Sequence, residues 1–252
     1  MSREGCSEQK DLVASFREAM SEEGFDICNP FRVSAYNELV RDRHRFNGSS
    51  VDCLGFLIGN TKSSWPHFVS YLQRVGMIKD PVEHFCREAV AGVTSQKRFS
   101  SLNPEVRFDF DTPSSGKFVH IQTAGHVSGT AYYDKETFWS IHPHYGVWFV
   151  YRAVVFFPTI TYLLEDPILP VNLFTPEECK EIGRLTEKAQ MERWRDMRTR
   201  LLIRDVCPIG KDKWRYEGDQ LDYFYPIERT KEEVLRDLLD RETEQQGNRR
   251  DE

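Results

Sequence analysis

The residues of this chain that could do chemistry are bunched. His120, His126, His142 and His144 lie within 25 residues, and in an extended segment His142 and His144 would share a face, as a transition-metal site wants. Pro143 stands between them, so polar packing or a hydrogen bond to a substrate explains the pair better than a closed zinc site. Around His126 runs Thr123-Ala124-Gly125-His126-Val127-Ser128-Gly129-Thr130-Ala131, nine residues without bulk, with Tyr132 and Tyr133 beside them. Such a stretch lets a ligand approach the main chain, with His126 and Ser128 as neutral hydrogen-bonding groups. Composition alone favours the other reading, a helix packed tightly on a sheet. Arg152 sits in the middle of VWFVYRAVVFF (147–157), the most hydrophobic run of the chain. A guanidinium there must meet a carboxylate, carbonyls or a ligand anion. Arg204, next to Leu201-Leu202-Ile203, reads as partly buried, whereas Arg193, Arg195, Arg198 and Arg200 read as a solvated helix face.

Several classes fall away on composition and motif. A net charge of −6 argues against bulk electrostatic capture of nucleic acid or anionic membrane. No GxGxxG, GxxxxGK[ST], GxSxG or HExxH occurs, which removes the usual support for dinucleotide-binding, P-loop, α/β-hydrolase and zincin readings. The six cysteines, at 6, 28, 53, 86, 179 and 207, are too widely and irregularly spaced for a metal knuckle or a disulfide framework, so they read as reduced intracellular thiols. MSREGCSEQKD offers no secretory h-region and no run of about 18 apolar residues could cross a bilayer, so the expectation is a soluble, cytoplasmic protein.

The elements that must hold these groups can be read in order. Leu12, Val13, Phe16, Ala19 and Met20 form one face of an opening helix that Gly24 stops. Cys53 to Ile58 predicts a buried strand. Two helices should follow, one with Pro66 near its start and Gly76 past its end, the other with Asp80 as N-cap, Pro81 at N1 and Glu83 at N3. Residues 105–111 alternate as a strand, Pro113 to Gly116 reads as a turn, and Phe118 to Thr123 as the next strand. The 147–157 run predicts a central strand buried on both faces. Thr175 to Glu178 starts a helix expected to last about two dozen residues, and the aromatic stretch from Trp214 to Tyr225 reads as irregular chain packed on the domain. A single α+β domain over 1–240 with a frayed or disordered tail at 241–252 is the economical organisation.

The strings HVSGTAYY (126–133) and IHPHYGVWFVYR (141–152) resemble signature segments of the CblC (MMACHC) family of intracellular cobalamin-processing proteins. NPFRVSAYNELV (29–40) is similar to that family's early strand and helix, and DPVEH near residue 80 also fits. The likeness runs from about residue 8 to 240 and is closest to a shorter, invertebrate-type member. It implies a nitroreductase-like α+β fold, a flavin-reductase scaffold with a central antiparallel-rich sheet flanked by helices. Two reactions are implied: glutathione-dependent dealkylation of alkylcobalamins and reductive decyanation of cyanocobalamin, with electrons from reduced flavin (FMN or FAD) or thiol. Delivery to a downstream, CblD-like carrier is implied as well.

By family position, cobalamin, bound base-off, would be lined by Val119, His120, Ile121, Gln122, Tyr133, Asp134, Lys135, Ser140 and Tyr151, with His126 at an amide arm or the upper face and Asp109 at the margin. Arg152, Arg204 and Arg229 match the arginines that hold glutathione carboxylates. No protein cysteine or resident metal is needed, since the cobalt arrives with cobalamin. The sequence departs from the pattern where Asp134 replaces a third tyrosine, where Gly146-Val147 replaces a glycine pair, at Ala153, and in a shorter connector between Tyr133 and Ile141. A flavin-dependent nitroreductase-like enzyme on another substrate and a non-catalytic cobalamin carrier are the alternatives.

Overall fold

The computed structural model describes residues 3–46 and 52–248. In chain order the elements are α1 (Arg3–Glu22), β1 (Ile27–Arg32), α2 (Val33–Leu39), β2 (Cys53–Asn60), α3 (Trp65–Val75), α4 (Pro81–Thr94), α5 (Lys97–Ser100) and β3 (Glu105–Phe108). There follow α6 (Ile121–Val127), the two-residue strands β4 (Tyr132–Tyr133) and β5 (Ser140–Ile141), and the long β6 (Val150–Thr161). The last part is helical: α7 (Pro176–Met191), α8 (Met197–Val206), α9 (Lys211–Trp214), α10 (Gly218–Phe224) and α11 (Lys231–Asn248). The four long strands form one sheet in the order β1-β2-β6-β3, every pair antiparallel, and β4 and β5 make a separate hairpin.

Burial follows the sheet. All eight residues of β2 are buried, as is β6 from Tyr151 to Phe157, because both strands are interior and covered on both faces. Pro30 sits in β1, an edge strand, where a missing N–H costs no ladder bond. One face packs on α1, α3 and α4 through Phe16, Phe56, Phe99 and Phe157, whose rings meet at 4.6–5.9 Å. The other face carries Tyr36, Phe46, Val127, Tyr151 and Phe156 under α2 and α6. A third cluster, around Trp148, Ile182, Ile203 and Tyr216, joins α7 and α8 to the domain. Among the described residues no helix is long and apolar enough to cross a membrane.

Several expectations are corrected. The 118–123 stretch is not a strand: the chain turns into α6 at Ile121, and the small residues of 123–131 serve a helix laid tightly on the sheet. A Cβ at Gly125 would lie 2.2 Å from the Tyr151 hydroxyl, so only glycine permits this approach. Asp80 is left-handed (φ 48°) and its side chain caps nothing, so the capping box that Asp80 and Glu83 would suggest for α4 does not form; a complete one forms at α7, between Thr175 and Glu178. The single long helix after Thr175 is broken, because Arg193 and Trp194 take positive φ before Asp196 caps α8. The 105–111 strand ends at Phe108. The aromatic stretch after residue 210 is two short helices, α9 and α10, with Tyr216, Tyr223 and Tyr225 buried. At the C-terminus α11 continues past Asp240 to Asn248, so the stretch taken as tail is helical that far, and residues 249–252 lie outside the described residues.

Gly125→Ala should lose about 2 kcal/mol of stability by overpacking against Tyr151. Gly92→Ala, in α4 with open space around it, should gain about 0.5–1 kcal/mol. Urea unfolding midpoints of the two variants test the contrast, and equal shifts would mean that α6 has room to move.

Candidate functional site

Packing α6 on β6 leaves the outer edge of the helix, the β4–β5 hairpin and one face of α7 around a common space. That space is a cleft of about 980 Å³, lined by Thr123 and His126 from α6 and by residues 132–138 of the hairpin. Cys179, Gly183, Thr186, Glu187 and Gln190 of α7 form the facing wall, with Leu39, Leu169 and Asn172 at the mouth.

Of the residues singled out from sequence, His126, Tyr133, Asp134 and Lys135 come together on this cleft. His126 faces the Tyr132 ring at 5.8 Å, and its Nδ1 is buried without a hydrogen-bond partner. Burial, with Lys135 nearby, pushes its pKa down, so it presents a neutral ring. Asp134 lines the cleft, but its carboxylate accepts from the Glu136 N–H (3.0 Å) and the Thr137 hydroxyl (2.7 Å), so it organises the hairpin turn. Ser128, read as a ligand hydrogen bond, is buried and instead bonds the Gly125 carbonyl and Thr130. Val119 and Ile121 point into the core under α2. His120 Nδ1 pairs with the Thr123 hydroxyl at 2.9 Å, and the His120 ring meets Tyr133 at 5.6 Å, one layer behind the cleft. Gln122 is half-buried on α6 and is not part of the cleft lining.

Ser140 and Tyr151 lie beneath the hairpin and α6, with both hydroxyls buried beside each other and no third partner. Burial pushes the Tyr151 phenol far above its ordinary range, only partly offset by the Ser140 hydroxyl, so it stays protonated and able to donate. Asp109 stands elsewhere, past the end of β3, where its N–H donates to the Arg152 carbonyl at 2.9 Å. Desolvation pushes its carboxyl up to about 6 against the pull of Arg152, and the exposure of the residue as a whole moderates that effect.

The three arginines are not gathered in the cleft. Arg152 is buried on the other face of β6 from Tyr151; its Nε donates to Asn60 Oδ1 at 2.8 Å, and the space beside it, walled by Trp65, Phe85 and Cys86, is only about 10 Å³. Arg204 lies among the rings of Trp139, Trp148, Tyr216 and Tyr225 at 5.4–5.9 Å, with its Nε and Nη1 buried and unpartnered. Phe224 and Tyr216, 5.4 Å apart, connect the two, with Arg152 6.0 Å from Phe224. Arg229 is engaged by Asp219, Asp222 and Asp237 at 2.6–3.1 Å near the surface.

The histidine pair at 142 and 144 belongs to a turn. His142 Nδ1 accepts from the backbone N–H of His144 (3.0 Å) and Tyr145 (3.2 Å), and its ring stacks on Tyr145 at 4.1 Å. Among the described residues no group of three His, Cys, Asp or Glu is disposed to hold a metal. The buried thiols of Cys28, Cys86 and Cys207 are raised by desolvation, the last two to about 11, which keeps them protonated and poorly nucleophilic. A phosphorylated flavin fits the cleft poorly. Asp134, Glu136 and Glu187 outnumber the single cation Lys135, and the first turn of α7 is closed by its own capping box.

A family model describing the methylmalonic aciduria and homocystinuria type C family, MMACHC, matches residues 24–235. The chain belongs to the MMACHC family. Relatives include the zebrafish (Danio rerio) "cyanocobalamin reductase / alkylcobalamin dealkylase", 29% identical over 85% of this chain and 88% of its own. The chicken (Gallus gallus) protein of the same description is 29% identical over 80% and 86%, and an "MMACHC-like protein" of Caenorhabditis elegans is 24% identical over 87% and 90%. Among solved structures, a C. elegans protein titled a B12-trafficking protein, CblC, superposes with a TM-score of 0.71 at 20% identity, covering 94% of this chain and 98% of the other. That likeness establishes the MMACHC fold for this chain, whose α7 wall and exposed hairpin aromatic sequence reading had missed. Phe138 and Thr186 carry no motif, and the capping box at Thr175 fixed only where the helix of Thr186 begins.

His142 provides a pH test. Burial and the neighbouring His144 push its pKa down to about 4 from 6.5. The folded state therefore resists protonation, so its stabilising contribution is complete above about 6.5 and is lost as pH falls towards 4. Thermal melts should show the wild type falling relative to His142→Asn, which keeps an acceptor but does not titrate, by about 2 kcal/mol across that window after allowance for partial exposure. Parallel curves would mean that protonated His142 is tolerated.

Proposed function

We propose that this chain is a cobalamin-processing enzyme that removes the upper axial group of alkyl- and cyanocobalamin and passes the product to a CblD-like carrier in the cytoplasm. The observation that carries this reading is the convergence of the family's HVSGTAYY segment on a large cleft that holds buried, unpartnered polar atoms. A corrin ring is broad, apolar on its faces and fringed with amides, so an aromatic and polar cleft of this kind suits it. Membership of the family, and relatives described as cyanocobalamin reductase / alkylcobalamin dealkylase, support the same activities here. The nitroreductase-like scaffold of the resemblance is part of this reading, and the antiparallel sheet between helical layers accords with it.

In the dealkylation, the glutathione thiolate attacks the carbon bound to cobalt. A sulfur–carbon bond forms, the cobalt–carbon bond breaks, and its electron pair stays on the metal as cob(I)alamin. In the decyanation, one electron from a glutathione thiolate reduces cobalt(III) to cobalt(II), cyanide leaves with its electron pair, and the thiyl radical left behind couples with a second one to give the disulfide. Base-off binding favours both steps, because loss of the lower nitrogen donor weakens the hold on the upper ligand, so binding energy from the detached tail serves the chemistry. His126 presents a neutral ring to the ligand, and the buried Tyr151 beneath it sets where α6 lies. Arg204 supports the glutathione part: a desolvated guanidinium in an aromatic cage, with Nε and Nη1 unpartnered, is stabilised by an incoming carboxylate, which it can grip through those two N–H groups. Arg152 would act after side-chain movement opens its small space, while Arg229, already held by three carboxylates, contributes least. No step is assigned to flavin.

Adding the protein to methylcobalamin should shift the absorption spectrum to the base-off form, and glutathione should then bleach the alkyl band. Arg204→Gln should slow that second change at least tenfold with base-off binding within threefold, and Arg229→Gln should change neither by more than threefold. Absence of both spectral changes in the wild type refutes the function. Binding without a thioether product would leave the carrier reading in its place.

A further inference from the structure

The hairpin between β4 and β5 holds the one bulky apolar residue of the cleft whose backbone is strained. Phe138 has φ +64°, a left-handed conformation that L residues with large side chains adopt at a cost. The surrounding turn enforces it. The Asp134 N–H donates to the Trp139 carbonyl at 2.9 Å, the Phe138 N–H donates to the Asp134 carbonyl at 2.8 Å, and the Asp134 carboxylate holds Glu136 and Thr137.

The strain does not serve packing. Phe138 is 56% exposed at the cleft mouth and meets no other aromatic ring among the described residues, and Leu39 and Leu169 stand exposed on the same rim. Across the cleft, Thr186 is 3% exposed, lines the space, and has a hydroxyl with no partner. Gly183, one turn earlier on the same helical face, lines the cleft and leaves open space beside itself. An apolar plate at the mouth and an unsatisfied hydroxyl on the facing wall together describe a ligand that is flat and conjugated on its faces and polar at its fringe.

We propose that Phe138 is a specificity-determining clamp whose ring, held at the mouth by the Asp134-braced turn, packs on the face of the corrin macrocycle while Thr186 on α7 hydrogen-bonds one of its amide arms. The proposal rests on the reading that this cleft takes cobalamin. Clamp and anchor act on binding, and the transfer of the alkyl group is left to the cosubstrate thiol.

The test is an absorbance titration of the full chain with methylcobalamin, alongside melting temperatures of the ligand-free proteins. Phe138→Asn and Phe138→Gly suit left-handed backbone and lack the ring; both should bind at least tenfold more weakly while melting no lower than wild type. Phe138→Tyr, which keeps the ring, should bind within threefold of wild type, and Thr186→Val should lose about fivefold. A wild type that shifts the spectrum while the Asn or Gly variant binds within twofold of it overturns the clamp and leaves the cobalamin reading standing. A Tyr variant weakened as much as the ring-less ones also overturns it, since backbone position would then be what matters. A Thr186→Val variant that binds like wild type removes the anchor. A wild type with no spectral change removes the underlying reading and the clamp with it.

Discussion

The contact between Gly125 and the Tyr151 hydroxyl sets the geometry on which the candidate site depends. Because no Cβ intervenes, α6 settles directly on the longest strand, and the chain leaving the helix emerges close to the sheet. The β4–β5 hairpin then has one place to go, over the outer edge of α6, and α7 closes the far side. A helix held even one methyl group farther out would displace His126 and the tyrosines together, since all three belong to one short segment. The small residues of 123–131 serve tight packing on the sheet, and that packing leaves the cleft beside α6.

The polar interior is organised on two sides of that sheet. Tyr151 and Arg152 are neighbours on β6 and so point to opposite faces, which puts a neutral donor under the cleft and a cation in the aromatic layer beneath α3 and α4. Arg152 is satisfied in part by Asn60, the last residue of β2, which reaches it across the sheet. Arg204 sits in a cage of four rings, each offering cation–π attraction worth about 0.5–2 kcal/mol at best. The neighbouring Tyr216 and Tyr225 hydroxyls favour its charged form against the cost of burial.

Much of this was legible in the sequence where the signal was local. The first helix, the β2 strand, the helices after Pro66 and Asp80, the buried β6 strand and the Thr175 cap all follow from periodicity and punctuation. The errors share a cause. Phe118 to Thr123 alternates well enough for a strand, yet tertiary packing under α2 made Ile121 onward helical, with Val119 and Ile121 both buried. The α7–α8 break carries neither proline nor glycine, since Arg193 and Trp194 supply the left-handed turn themselves. At the site, the motif strings located the α6 and hairpin wall, whereas Thr186 and Gln190 belong to an ordinary amphipathic helix whose inner face is defined only by what it meets. Asp134 lies on the cleft, and its role as a turn brace depends on hydrogen bonds that no spacing reveals.

The central pair of the sheet joins β2 to β6, segments separated by roughly a hundred residues of chain. Until both segments are present β2 has only β1 to pair with, and its other edge stays uncovered. Closing so wide a loop is entropically slow, so strand order sets when the apolar centre of the sheet can form.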